Sequence, residues 1–395
     1  MISVDEAKKI IHENTRALTP VTRPLEGAAG LVLAEDVYAH MDIPGFRQSS
    51  MDGYALSFDD WKTNPQLTIS GEIAAGSTND TPLRPGHAVR IFTGAPVPPG
   101  ADTVVMQEKT RVENGMLIIE DGRLTGGANV RAANGEISAG MLALPKGHLL
   151  TPAAMGFLIG IGVTQVTVYP RPLVSIIVTG DELEQPGEPL RYGQVYESNS
   201  RVLRAALEQL HIGDVRVLYA EDSLDVLRTV LAGALEDSDL VFLTGGISVG
   251  DYDFVLQATI DNGVTQLFHR IKQRPAKPLY FGKKGARYVF GLPGNPASGL
   301  TSFYEYVLPA LEIMTQRNSS LRVLKAPLAS PFQKSAGLTH FLKGVYDGRT
   351  ALVLGGQESF RLSSFARANC LIQVDEAVTH CAAGEMVEVH LLPGS

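Results

Sequence analysis

Cysteine is nearly absent from this sequence. Of 395 residues only Cys370 and Cys381 carry thiols, and neither belongs to a CxxC pair. A disulfide framework or a thiolate metal site therefore does not organise the chain, and the two read as buried or incidental thiols. Surplus positive charge is missing as well. The formal net charge is −8, which excludes a general nucleic-acid binder, because phosphate contacts need a basic surface. A local cationic pocket for a small anion remains compatible with that balance. The apolar runs fall far short of a membrane span, which needs about 20 residues. The opening MISVDEAKKI lacks the basic start and apolar core of a secretory signal. These absences lead us to expect a soluble cytoplasmic protein with neither membrane nor nucleic acid as partner.

What is present is a globular composition, 44% hydrophobic and 19% charged, in a chain too long for one ordinary core. Several domains are therefore expected. Residues 3–18 read as a first helix: Ser3 is a plausible N-cap, Glu6 follows three residues later, and Val4, Ala7, Ile10 and Ile11 recur at helical spacing. From about 20 to 170 the texture becomes short β-type runs broken by Gly and Pro, such as LTIS (67–70), AVRIF (88–92), TVVMQE (103–108) and MLIIE (116–120). That spacing predicts a small antiparallel β domain. TPAAMGFLIGIGV (151–163) reads as helical after Thr151, with Pro152 at the first helical position.

The rhythm changes after Arg171. LVSIIV (173–178), VRVLY (215–219), LVFLT (240–244) and YVFGL (288–292) alternate with helical segments at 198–210, with Ser198 or Asn199 as its cap, and at 223–236, 253–262 and 297–313. Near-continuous apolar strands between helices predict a doubly wound, mostly parallel α/β sheet. Residues 321–395 return to β texture with a hairpin signal at YDGR (346–349).

Ligands of such sheets bind outside the carboxyl ends of the strands. Three strands here end in unusual loops: VTGDEL (178–183), TGGISVGDYD (244–253) and GLPGNPASG (291–299). Each is expected to lead into a helix and so to aim backbone N–H groups outward as an anion cradle. Gly245 and Gly246 allow close backbone approach, and Ser248 offers a hydroxyl. Asp251 and Asp253 supply hard oxygen ligands that suit Mg²⁺, although the same pair would also serve as helix caps. Asp181 and Glu182 carry the same two readings. HRIKQRPAKP (269–278) supplies Arg270, Lys272, Arg274 and Lys277, either as a solvated basic loop or as an oxyanion-binding arm.

Together these segments resemble the molybdopterin molybdenumtransferase family, the MoeA type, to which the C-terminal domain of gephyrin is related. SSMDGYA (49–55), FTGAPVPPGADTVVMQE (92–108), VTGDEL, TGGISVGDYD, PAKP (275–278) and GLPGNP (291–296) run in family order along nearly the whole chain. The resemblance implies a multidomain α/β plus β protein. Its parts are an elongated discontinuous domain (1–45 with 139–171), an inserted β domain (46–138), a central doubly wound molybdopterin-binding α/β domain (172–320) and a C-terminal β-barrel-like domain (321–395). It further implies a homodimer with the cleft between the α/β domain of one subunit and N-terminal loops of the other. The implied reaction is Mg²⁺-dependent insertion of molybdate into adenylylated molybdopterin with release of AMP. A molybdopterin adenylyltransferase and cofactor-accepting enzymes are the implied protein partners.

By position, the resemblance carries catalytic roles to Asp52, Thr93, Glu182, Asp222 and Lys277. It carries pterin and oxyanion binding to Gly245, Gly246, Ser248, Arg270, Arg274, Pro293, Gly294, Asn295 and Pro296, and metal binding to Asp251 and Asp253. The sequence departs from the family where Ala276 replaces a usual glycine, where Arg270 and Arg274 replace two common lysines, and where Glu136 stands for an aspartate. These departures admit a paralogue for another oxyanion such as tungstate. An adenylyltransferase-like enzyme on the same α/β domain and a gephyrin-like scaffold are the other readings. The long β regions on either side disfavour the first, and the intact acidic and glycine loops disfavour the second.

Overall fold

The computed structural model describes residues 1–78, 80–245, 254–318 and 321–394. They form two compact units, Met1–Arg23 with Ala28–Ala34 and Thr167–Ser395, and Pro24–Gly27 with Glu35–Val166.

In the larger unit, α1 (Val4–Asn14) starts where Ser3 accepts a hydrogen bond from the Glu6 amide, 3.1 Å. Its apolar stripe of Val4, Ala7 and Ile11 is buried in the main core. The α/β series then runs β1 (Val174–Thr179), α2 (Asn199–Gln209), β2 (Val215–Ala220), α3 (Leu224–Asp237), β3 (Leu240–Thr244), α4 (Phe254–Asp261), β4 (Thr265–Arg270), β5 (Pro278–Lys284), β6 (Arg287–Leu292), α5 (Pro296–Ser302) and α6 (Leu308–Thr315). Sheet order is β2-β1-β3-β6-β5-β4. The doubly wound reading is borne out, with one refinement. The four strands on one side are parallel, whereas β5 pairs antiparallel with both β6 and β4, so that β5 alone runs against the rest. Core residues alternate between faces: Ile176, Phe242 and Phe290 pack with α1 and α6, while Ile177, Val241 and Val289 pack with α3 and α4. Burying both faces is what makes these strands read as unbroken apolar runs.

Two local expectations change. Ser198 makes no side-chain cap bond at α2; the buried Glu197 carboxylate instead accepts from the Ser200 amide (2.8 Å) and hydroxyl (2.6 Å). The TGDEL loop does not run straight into a helix, because Leu183–Glu184 pairs with Val195–Tyr196 as a two-stranded ribbon before α2 begins.

The C-terminal strands β7 (Arg322–Pro327), β8 (Thr339–Tyr346), β9 (Cys370–Val374) and β10 (Met386–Leu391) make a sheet in the order β8-β9-β10-β7. Residues Gln273–Arg274 add to its edge, parallel to β8. In the smaller unit the sheet runs through Thr103–Met106, Gly53–Leu56, His87–Ile91, Gln66–Ile73, Met116–Ile119 and Thr110–Glu113. It is antiparallel except where Gln66–Ile73 meets His87–Ile91 in parallel. Alternation divides it cleanly: Ala55, Val89 and Val104 pack on one face, and Leu56, Ala88 and Val105 on the other.

Candidate active site

The parallel register brings the ends of β1, β3 and β6 level, with Val178 opposite Thr244 and Thr244 opposite Leu292. Where the chain leaves these strands, Thr179, Gly245 and Gly294 crowd together. At Gly245 (φ +90°) a Cβ would stand 2.3 Å from the Thr179 carbonyl oxygen, so no side chain fits. A Cβ on Gly294 would reach within 3.7 Å of the Gly245 Cα. The hydroxyls of Thr179 and Thr244 are buried here and, among the described residues, have no hydrogen-bond partner. Asn199 at the start of α2 donates to the Gly294 carbonyl, 2.8 Å, and fixes the GLPGNP turn. The Asp222 amide points to the Asp181 carboxylate at 3.4 Å, so the acids after β1 and β2 are neighbours.

Beyond this edge lies a cavity of about 470 Å³. Arg274, Lys277, Pro293, Asn295 and Ser298 line one side, and Glu358 and Ser359 the other. Asn295 donates to the Ser359 hydroxyl at 2.9 Å, and the Ser298 amide reaches the Ser359 carbonyl at 3.3 Å. The basic arm is shaped by the Gln273 side chain, which donates to the Ala276 carbonyl (3.0 Å) and accepts from the Tyr306 hydroxyl. Ala276 itself lies in the left-handed region at φ +64°, which accounts for the glycine usual there. Arg274 and Lys277 line the cavity; Arg270, at the end of β4, does not.

The sequence reading missed the far wall. Lys343 on β8 is buried, and its ammonium donates to the carbonyls of Gly356 (2.7 Å), Glu358 (3.1 Å) and Arg361 (3.1 Å). Gln357 ties back to the Lys343 backbone at 2.8 and 3.0 Å. Burial lowers the Lys343 pKa, and the Arg361 charge adds to the shift. No chemical motif marks this loop; only its proximity to GLPGNP reveals it.

In the smaller unit the MDGYA and TGAP segments meet. The Asp52 carboxylate accepts from the Thr93 amide (2.7 Å) and hydroxyl (2.8 Å). These bonds, together with the Arg90 charge, hold Asp52 below the usual carboxylate range. Arg90 is sandwiched between the rings of Tyr54 and Phe92 at 5.2 and 5.1 Å, and it donates to the Gly53 carbonyl and the Gln107 side chain. The glycine of MDGYA is structural: a Cβ on Gly53 would sit 1.8 Å from the Val105 carbonyl oxygen. Glu136 is exposed on a separate cavity of about 770 Å³ in the same unit, with Arg131 and Gln48.

Gly246, Ser248, Asp251 and Asp253 lie outside the described residues. Among the described residues no three His, Cys, Asp or Glu side chains gather as a metal site, and no helix is long and apolar enough to cross a membrane.

Three family descriptions match in succession. Residues 2–162 match the MoeA N-terminal region (domain I and II), 175–313 a probable molybdopterin binding domain, and 325–392 the MoeA C-terminal region (domain IV). The chain is 35% identical to molybdopterin molybdenumtransferase 2 of Mycobacterium tuberculosis, over 98% of this chain and 99% of that one. The chain belongs to the molybdopterin molybdenumtransferase family. The corresponding molybdopterin molybdenumtransferase of Haemophilus influenzae is 31% identical over 99% and 100% of the two chains. A solved molybdopterin biosynthesis MoeA protein from Pyrococcus horikosii superposes with a TM-score of 0.86 at 29% identity, covering both chains in full. Membership extends to all three regions, so the α/β layer is not a free-standing domain.

Proposed function

We propose that this chain inserts molybdate into adenylylated molybdopterin and releases AMP, acting in the cytoplasm as a homodimer. The observation that carries the reading is the closed strand-end edge at Gly245 and Gly294, which opens beside a cavity lined by Arg274 and Lys277. Backbone N–H groups free of side chains suit a phosphate, and the two cations suit an oxyanion. Gly245, Gly246 and Ser248 would hold the pterin phosphate, with Pro293, Gly294, Asn295 and Pro296 forming the facing turn. Arg274 and Lys277 would hold molybdate, and Arg270 would contribute long-range charge only. Asp52, Thr93, Glu182 and Asp222 would complete the catalytic set.

The donor chemistry fits a hard cation. Asp181, Glu182 and Asp222 bring carboxylates to the strand ends, and the Thr179 and Thr244 hydroxyls, without a partner among the described residues, add oxygens. Asp251 and Asp253 would be the direct ligands. Mg²⁺, when bound, would neutralise charge on the phosphoanhydride as AMP leaves.

A second copy of the chain is the proposed partner for the helix at Pro152–Gly160. That helix is apolar all round, yet only Ala154 and Leu158 are buried and Ile159 is 55% exposed. An apolar helix of this kind needs a covering surface.

The test is direct. Pure protein with adenylylated molybdopterin, Mg²⁺ and molybdate should release AMP, with tungstate run in parallel. Asp251→Asn should abolish the magnesium-dependent part. ATP-dependent adenylylation of molybdopterin without molybdate-dependent AMP release would reject the reading in favour of an adenylyltransferase.

A further inference from the structure

A second cavity of about 410 Å³ adjoins the first and shares Arg274 and Gln357 with it. Its floor belongs to the C-terminal sheet. Arg274, Lys334 and His340 line it, and no carboxylate does. His340 on β8 is only 8% exposed, and among the described residues its ring nitrogens have no hydrogen-bond partner. The ring is held edge-on by Phe332, 6.3 Å between centroids. The ring nitrogens are not sealed from water; they open on the cavity that Arg274 and Lys334 also line, and are free to bind whatever enters it.

We infer that this cavity is an oxyanion subsite, in which Arg274, Lys334 and His340 hold a tetrahedral dianion at the threshold of the main site. Each of the three groups supplies what such an ion needs. Arg274 presents a planar fork of donors. Lys334 spends two donors on the carbonyls of Leu338 (2.9 Å) and Glu376 (3.4 Å) and keeps a third. His340 donates from one nitrogen when neutral and from both when protonated.

The surrounding charges leave the cavity positive. The Glu376 carboxylate is paired with Lys272 at 3.0 Å, and that of Asp375 accepts from Gln373 at 2.9 Å; neither lines the cavity. On β9 the residue opposite His340 is Val374. Burial and the charges of Lys334 and Arg274 pull the His340 pKa down to about 4, so these surroundings favour the neutral ring at pH 7. A dianion would offset both cations and favour the imidazolium. Binding should therefore take up a proton and strengthen as pH falls. The assignment of the ion as molybdate rests on the proposed transferase reaction, in which Arg274, common to both cavities, would pass it inward.

The test uses the full chain with ¹³C-labelled histidine, the His340 resonance being identified by its absence in His340→Gln. Sulfate, a dianion across the whole pH range, should shift that resonance and raise the ring pKa by at least about one unit. Lys334→Gln should remove the shift, and in equilibrium dialysis at pH 7 it should weaken molybdate binding about tenfold, the loss of one charge-assisted contact. A His340 resonance unmoved by sulfate and molybdate in the folded protein overturns the subsite, as does unchanged molybdate binding in Lys334→Gln. A response to sulfate without molybdate binding overturns the molybdate assignment. A chain that releases no AMP yet keeps the His340 response overturns the transferase reading alone and supports the subsite.

Discussion

Ala276 and Gly245 show the two ways a single Cβ matters at this site. Ala276 occupies left-handed backbone at φ +64°, where an L side chain costs about 1–2 kcal/mol. Ala276→Gly removes that cost and returns about half of it as extra freedom of the unfolded chain, so stability should rise by up to about 1 kcal/mol. Urea midpoints check it; a lower midpoint would show that the alanine is not strained. Gly245 is the reverse case, since its missing Cβ would overlap the Thr179 carbonyl oxygen at 2.3 Å. Gly245→Ala should push the β1 and β3 loops apart, lower stability by about 1–3 kcal/mol and abolish AMP release. Near-normal turnover would remove this edge from the site. The strand-end glycines, the two Thr hydroxyls and the basic arm were all visible as residues in the sequence. The partners that tie them down were not, because Asn199 to Gly294 spans 95 positions and Lys343 reaches a loop that carries no motif.

At the scale of elements, α1, the turn of π-helix at Phe303–Val307 and β10 are joined through one buried carboxylate. Glu305 is fully buried; Lys8 lies 2.7 Å from one oxygen and His390 Nδ1 2.7 Å from the other, while His390 Nε2 meets Glu388 at 2.9 Å. Burial pushes the Glu305 pKa up, but Lys8 and His390 outweigh it and the net shift is downward. For His390 burial pulls down, and Glu305 and Glu388 outweigh it, so the net shift is upward. The contribution of Glu305 is therefore present above about pH 4.3 and lost as pH falls through its depressed value. That of His390 is present below about pH 6.5 and lost as pH rises through its raised value. Stability should peak between the two. Glu305→Gln should cost about 3 kcal/mol and flatten both limbs, as followed by urea midpoints from about pH 2 to about pH 9. A profile identical to the parent's would show that the network is not coupled to folding. The elements themselves were largely legible: apolar periodicity located α1 and the parallel strands. It could not show β5 running against its neighbours, because strand direction leaves no mark in composition. Nor could it foresee Glu197 replacing Ser198 as the group that holds the start of α2, since that depends on a carboxylate being buried.

For the whole molecule, the long-range organisation is hardest to read. The chain leaves the larger unit after Arg23, returns for Ala28–Ala34 and returns again at Thr167. Hydrophobic pattern registers what each stretch buries and is silent about which distant stretch it is buried against. One surface property does follow from pattern: the helix at Pro152–Gly160 is apolar on every side, with Ile159 exposed. If a second copy covers it, Ile159→Lys should convert the dimer to monomer in sedimentation velocity while leaving the fold intact by circular dichroism. An unchanged sedimentation coefficient would reject this helix as the contact.

The ammonium of Lys343 has a consequence for how ligands are received. Its charge is used up inside, on three carbonyls of one loop, so that loop takes its shape when the C-terminal sheet folds and does not wait for a guest. A receptacle set in advance loses little freedom on occupation, and the wall carrying Ser359 should greet its first ligand in the same posture as its last.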